Sequence, residues 1–202
     1  MSDNKAILII ADSERDSNMY YATGFMAPDP FVYIQQGNRK IMITSDLELD
    51  RARSQSKADK VLSLSKYERI IKKRGSTPSG LIGVVTAALR EMKIKKLLVP
   101  ADFNVEYADF LRENGFKLEV KKGPFFASRE IKSEEETGHI VRTLRETERA
   151  IRKAIDFIKK SKVKNGFLVS KRNSQITSES IREIINVELM KEIGRASCRE
   201  RV

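Results

Sequence analysis

Apolar positions along this chain follow two rhythms, and the change falls near residue 130. Before it they come as short runs. Residues 5–11 (KAILIIA) form a continuous apolar run bounded by polar residues, which predicts a buried strand. Residues 31–35 and 40–44 flank Gln36-Gly37-Asn38-Arg39 and predict a β-hairpin. Further strands are expected at 60–64, 96–100 and 116–120. Helical segments fill the gaps: 13–21, ended by Thr23-Gly24-Phe25; 46–56, with Asp46 as its cap; 67–73; 81–92; and 105–114, closed by Gly115. Ala27-Pro28-Asp29-Pro30 and Gly75-Ser76-Thr77-Pro78-Ser79-Gly80 are breakers. The alternation, with one early hairpin, predicts an α/β domain whose mixed sheet is flanked by helices on both faces.

After residue 130 the spacing becomes helical. Ile140/Val141, Leu144, Ile151, Ala154/Ile155 and Ile158 recur at three and four, one face of a long helix. Ser133 and Glu136 have the spacing of a capping box, in which each side chain satisfies an orphan backbone donor. Glu134, Glu135 and Glu136 crowd its start, and Lys159, Lys160 and Lys162 its end, so both ends suit the helix dipole. A helix of about 28 residues would run ~42 Å at 1.5 Å per residue. One more helix follows. The expected organisation is a domain over 1–130, the helical opening of a second over 131–194, and a tail over 195–202.

Composition adds bounds. The chain has 202 residues, 40% apolar and 33% charged, which is ordinary for a globular protein and excludes bulk disorder. The net charge of +11 is spread out: 22 Lys/Arg against 17 Asp/Glu in residues 1–130, and 17 against 11 in 131–202. The patches Lys72-Lys73-Arg74 and Lys95-Lys96 sit at a helix end and a strand start without aromatics beside them, so they read as solvated surface, and no nucleic-acid partner is expected. No apolar run reaches the roughly 18 residues that span a bilayer, so no membrane partner is expected. The first apolar run is too short for a secretory signal. The single cysteine permits no intramolecular disulfide, and the default location is cytoplasmic.

Candidate chemistry is sparse. The 75–80 segment lacks the Lys and the spacing of a phosphate loop. The lone histidine, His139, has only Glu135 and Glu136 within helical reach and reads as a surface or packing residue. Cys198 lies in a basic segment with no histidine near and reads as incidental. Tyr20, Tyr21 and Phe25 fit either a core or a binding role. No residue is assigned as catalytic and none as a metal ligand.

Motif order carries the reading further. Asn18-Met19-Tyr20-Tyr21-Ala22-Thr23-Gly24-Phe25 is followed by Ile41-Met42-Ile43-Thr44-Ser45-Asp46 and then Glu48-Leu49-Asp50-Arg51-Ala52-Arg53. This succession resembles the N-terminal domain of the creatinase, prolidase and Xaa-Pro aminopeptidase family: a helix ending Tyr-x-x-Gly-Phe, a hairpin ending Ser-Asp, a helix carrying Arg-Ala. Arg129-Glu130-Ile131-Lys132-Ser133-Glu134 resembles the linker that opens the family's pita-bread catalytic domain, and Ile176-Thr177-Ser178-Glu179 resembles the start of its second helix. The resemblance spans about residues 5–194.

The resemblance implies a ribonuclease H-like mixed sheet, then a long helix and a second helix from an incomplete pita-bread domain. Family members bind a pair of divalent metals (Mn, Co or Zn) through Asp, Asp, His, Glu and Glu side chains on strands beyond those helices. By that pattern the chain is C-terminally truncated, holds no metal ligand, and is expected to be inactive alone, with 195–202 a foreign or junction tail. The implied parent is a metal-dependent hydrolase that cleaves the bond before proline in short peptides and forms a homodimer. Tyr20, Tyr21 and Phe25 become interface or gate candidates by the same analogy. A non-catalytic binding or dimerisation module is the alternative, and a truncated reading frame without function of its own is a third reading.

Overall fold

Leu8 and Ile34 face each other across the first two strands, both fully buried, and the sheet is built outward from that pair. The computed structural model describes residues 5–73, 80–171 and 174–199, with side chains described as far as Lys191. The elements in chain order are β1 (Ala6–Ala11), α1 (Ser17–Thr23), β2 (Phe31–Gln36), β3 (Arg39–Thr44), α2 (Leu49–Gln55), β4 (Lys60–Ser63), α3 (Leu64–Lys73), α4 (Gly80–Glu91), β5 (Lys96–Val99), α5 (Val105–Glu113) and β6 (Lys117–Val120). A 3-10 turn (Ala127–Glu130) leads to α6 (Glu134–Lys159), β7 (Lys162–Lys164), β8 (Phe167–Val169) and α7 (Ser178–Arg199). Two compact units divide the chain, Met1–Arg129 and Glu130–Val202.

The first unit is a six-stranded mixed sheet in the order β4-β3-β2-β1-β5-β6. β2 runs antiparallel to β1 and β3, while β1–β5, β5–β6 and β3–β4 pair parallel. Side chains alternate across each strand, so β1 to β4 feed two cores, while β5 and β6 feed the first of them. Leu8, Val32, Ile34, Ile41 and Ile43 meet Tyr67 of α3, Val85 and Leu89 of α4 and Leu111 of α5 on one face. Ile9, Phe31, Tyr33 and Met42 meet Met19 and Ala22 of α1, Ala52 of α2 and Phe125 on the other. The α/β architecture with helices on both faces is therefore as the sequence predicts.

Three local expectations are corrected. The first helix begins at Ser17 and not at 13, because Ser13 is bound elsewhere: its Oγ accepts from Ala27 N at 2.8 Å, and its own N–H donates to Ala27 O at 3.2 Å. Asp16 caps the helix instead, accepting from Met19 N at 2.8 Å. Asp46 does not cap α2, whose cap residue Glu48 makes no side-chain cap bond. The Asp46 carboxylate instead accepts from the hydroxyls of Ser63 and Ser65 at the end of β4 and the start of α3. Finally, the β7–β8 hairpin was not expected, since strands of three residues are too short to show a period.

In the second unit the capping box forms as the spacing predicts. Ser133 Oγ accepts from Glu136 N at 3.2 Å, and Glu136 Oε2 accepts from Ser133 N at 2.9 Å. The helix so started has 26 residues. Ala150 and Ala154 are buried where α6 packs on α7, and Lys153 pairs there with Glu188. Ile181, Ile184, Ile185 and Leu189 of α7 are half-buried. Among the described residues, no helix is long and apolar enough to cross a membrane. The 75–79 breaker, residues 200–202 of the expected tail and the Cys198 side chain lie outside the described residues.

Candidate functional site

Gly24 is where Phe25 parts company with the two candidate tyrosines. It closes α1 in the left-handed region at φ 61°, its N–H bonded to Tyr20 O at 2.7 Å. A Cβ there would stand 3.2 Å from the Lys57 side chain, so both conformation and space favour glycine. Thr23 stiffens the corner: its Oγ1 donates to Met19 O at 2.8 Å and accepts from Phe25 N at 3.2 Å, while its carbonyl accepts from Lys57 N at 2.7 Å.

Beyond that corner Phe25 turns into the core, fully buried, edge-on to Phe31 at 5.8 Å. The Arg51 guanidinium lies 4.6 Å from the Phe25 ring centre, donates to Met26 O, and pairs through Nε with Glu48 at 2.8 Å. Arg51 of α2 therefore ties down the loop that follows α1.

Tyr21 faces the chain's exit from the first unit. Its hydroxyl donates to Ser128 Oγ at 3.0 Å and its ring packs on Phe126 at 5.5 Å. Arg129 lies 5.9 Å over the same ring and donates to Asn18 Oδ1 at 2.7 Å. Phe125 is buried beside Phe126, with Lys121 Nζ donating to its carbonyl at 2.6 Å. Tyr20, by contrast, is 46% exposed, and of the three it is the one that offers its ring to solvent. Met26 and Leu47 are exposed apolar residues at the turns that follow α1 and β3.

Sequence reasoning missed Asn18, Arg51, Phe126 and Arg129 as members of this corner. The available signal was the apolar pair Phe125-Phe126 behind Gly123-Pro124, which no periodic element claims.

The titratable groups are set for structure. Hydrogen bonds from Ser63 and then Ser65 hold the Asp46 carboxyl below its usual range, helped by the charge of Arg69, so it stays ionised. Burial pushes the Tyr33 hydroxyl up to about 12, with the Asp59 charge adding to it. Burial also raises Tyr67, and Glu91 beside it adds to the shift. A hydrogen bond from Lys66 is the main cause that holds Glu91 low. Two tyrosines that stay protonated and two carboxylates that stay charged are poor proton shuttles at neutral pH. His139 is exposed on α6.

Among the described residues, no three His, Cys, Asp or Glu side chains gather where they could hold a metal ion. The Asp46 carboxylate is engaged by two serine hydroxyls, with no second carboxylate bonded to it. The residues described here do not fit a dinuclear metal centre.

Residues 3–84 match the creatinase/prolidase N-terminal domain family. No curated protein sequence matches the chain. Among solved structures, the X-Pro aminopeptidase of Thermotoga maritima MSB8 superposes with a TM-score of 0.68 at 16% identity, over 94% of this chain and 47% of that one. The Xaa-Pro dipeptidase of Bacillus anthracis gives 0.66 at 14% identity, over 94% and 45%. The prolidase of Pyrococcus horikoshii OT3 gives 0.59 at 17%, again over 94% and 45%. At these identities the superpositions show a shared fold, and the chain spans about half the length of each structure. The matched residues 3–84 lie within the first unit and are similar to a creatinase/prolidase N-terminal domain.

Proposed function

We propose that these residues are the N-terminal part of a metal-dependent Xaa-Pro peptidase that hydrolyses the bond before proline in short peptides, in the cytoplasm and as a homodimer. The observation that carries this reading is continuity. The family match at 3–84 is joined by a structural likeness to an X-Pro aminopeptidase that covers 94% of the chain and so extends beyond the first unit. In this reading the 202 residues supply no metal ligand; two divalent ions such as Mn, Co or Zn belong to the remainder of the protein. Tyr20 is the residue best exposed for an interface or gate, Tyr21 secures the chain's exit from the first unit, and Phe25 supports the corner from inside.

One observation favours a second reading, a non-catalytic peptide-binding or dimerisation module. The first unit closes both of its cores with its own residues.

The experiment compares the 202-residue chain with the product of the full reading frame that contains it. Both are loaded with Mn²⁺ or Co²⁺ and offered Xaa-Pro dipeptides and longer Xaa-Pro peptides. Proline-dependent hydrolysis by the longer product alone supports the peptidase. Peptide binding without hydrolysis by either product overturns it in favour of the module.

A further inference from the structure

Between residues 159 and 172 the chain carries Lys159, Lys160, Lys162, Lys164, Lys171 and Arg172, and not one acid. The β7–β8 hairpin lies at the centre of this stretch. Its turn is Asn165-Gly166, both at positive φ (51° and 79°), the pairing that a tight two-residue hairpin requires. The five lysines are exposed and, among the described residues, take part in none of the ion pairs. Elsewhere in the same unit Arg149 pairs with Glu146, and Lys153 with Glu188.

Register sorts the hairpin's side chains. Lys162 pairs with Val169 and Lys164 with Phe167, while Val163 pairs with Leu168. Directly paired residues share a face and successive residues alternate. One face therefore presents Lys162, Lys164 and Phe167 together with the half-buried Val169, and Phe167 is 57% exposed. The two lysines stand roughly 6.8 Å apart along the strand, and the Lys164 and Phe167 Cβ atoms about 5 Å apart across it. A flat ring flanked by unpaired cations is what a base and its neighbouring phosphates need.

We propose that this face of the β7–β8 hairpin binds single-stranded nucleic acid, with a base on Phe167 and phosphates on Lys162 and Lys164. This revises the expectation of no nucleic-acid partner, which rests on basic patches without aromatics and does not weigh a hairpin that periodicity fails to reveal. A lipid surface fits less well. The hairpin tip is polar, and the apolar side chains are split, Val163 and Leu168 on one face and Phe167 and Val169 on the other, so no single apolar edge is available to insert.

The test titrates the 202-residue chain against fluorescein-labelled oligothymidine over a range of salt, with polyglutamate and phosphatidylserine vesicles in parallel. Binding to oligothymidine should weaken with salt. K162A/K164A should flatten the log–log salt slope by about 1.4, at ~0.7 per phosphate contact. Phe167→Leu, which keeps apolar bulk but removes the ring, should weaken binding about tenfold, whereas Phe167→Tyr should preserve it. K72A/K73A, removing the same charge elsewhere, should leave binding almost unchanged. Circular dichroism confirms that each variant is folded. The proposal is overturned by three results: no salt-dependent binding, hairpin variants that bind like the parent, or equal binding of polyglutamate or vesicles with indifference to Phe167→Leu.

Discussion

The Tyr21 hydroxyl donates to Ser128 Oγ at 3.0 Å across 107 positions of sequence, so the first helix holds the last segment of its own unit. Arg129 strengthens the clasp by lying over the Tyr21 ring and bonding Asn18. Removing the hydroxyl alone, in Tyr21→Phe, should cost about 0.5 kcal/mol, since the bond is exposed to water. Tyr21→Ala also removes the packing on Phe126 and should cost about 2 kcal/mol. Thermal melting measures both. Limited trypsin digestion should show faster cleavage after Arg129 in the alanine variant, and unchanged cleavage would refute the clasp.

Gly24→Ala should destabilise the first unit by about 1–2 kcal/mol, the cost of a left-handed residue with a Cβ, with the Lys57 stem displaced as well. Gly24→Asn should cost less, because asparagine tolerates that conformation. Urea denaturation of the two variants tests the order. A Gly24→Ala variant as stable as the parent would contradict the conformation assigned to the corner.

Acid should loosen the protein at two named points. The carboxyls of Asp46 and Glu188 are both held below their ordinary values, the first by Ser63 and Ser65, the second by Lys153. A depressed folded pKa contributes stability that is present above the unfolded value of about 4 and is lost as pH falls through the folded one. The S63A/S65A pair should therefore bring the Asp46 titration, followed by carboxyl NMR, back up towards its ordinary value. Lys153→Ala should do the same for Glu188. A titration that does not move would show that the hydroxyls, or the ammonium, contribute nothing.

Alkali acts at the opposite end. Burial raises the Tyr33 hydroxyl to about 12, so its protonated form is favoured by folding. Its contribution is complete below the unfolded value of about 10 and is lost as pH rises from there to the folded value. Tyr33→Phe should make the melting temperature less sensitive to pH over that window. An unchanged alkaline profile would rule out Tyr33 as the titrating group.

The second unit should associate with itself. Ile140, Leu144, Ile151 and Ile155 remain 48%, 56%, 45% and 44% exposed along α6, apolar residues of one helix face left in water. Light scattering should show the 202-residue chain forming larger species as its concentration rises, and L144E/I151E should reduce them. Equal scattering from parent and variant would remove that face as the cause.

The fold was legible where period and burial agree. The KAILIIA run, the Gly37-Asn38 hairpin and the Ser133–Glu136 box each announce an element through several neighbouring residues, and each appears where expected. What could not be read depends on contacts distant in sequence. Asp46 has the composition of a helix cap, but serines 17 and 19 positions further on bind its carboxylate. Tyr20, Tyr21 and Phe25 look alike as a string of aromatics, yet one is exposed, one is clasped and one is core: neighbours on α1 point about 100° apart, and the left-handed Gly24 then redirects the chain before Phe25. The β7–β8 hairpin lay below the resolution of any periodicity, and its basic face could be seen only once register had paired Lys164 with Phe167.

The central position of β1 has a consequence for the order of assembly. Its near partner, β2, follows within a few dozen residues, but its parallel partner, β5, pairs Ala6 with Leu97. During synthesis, one edge of the first strand has no partner until most of the unit has emerged from the ribosome. Non-local pairings of this kind slow folding, and an apolar edge left open in the meantime is a template for the wrong neighbour. The nascent chain is thus most vulnerable to aggregation before residue 99 has emerged, and holding that edge apart is the task a chaperone would perform.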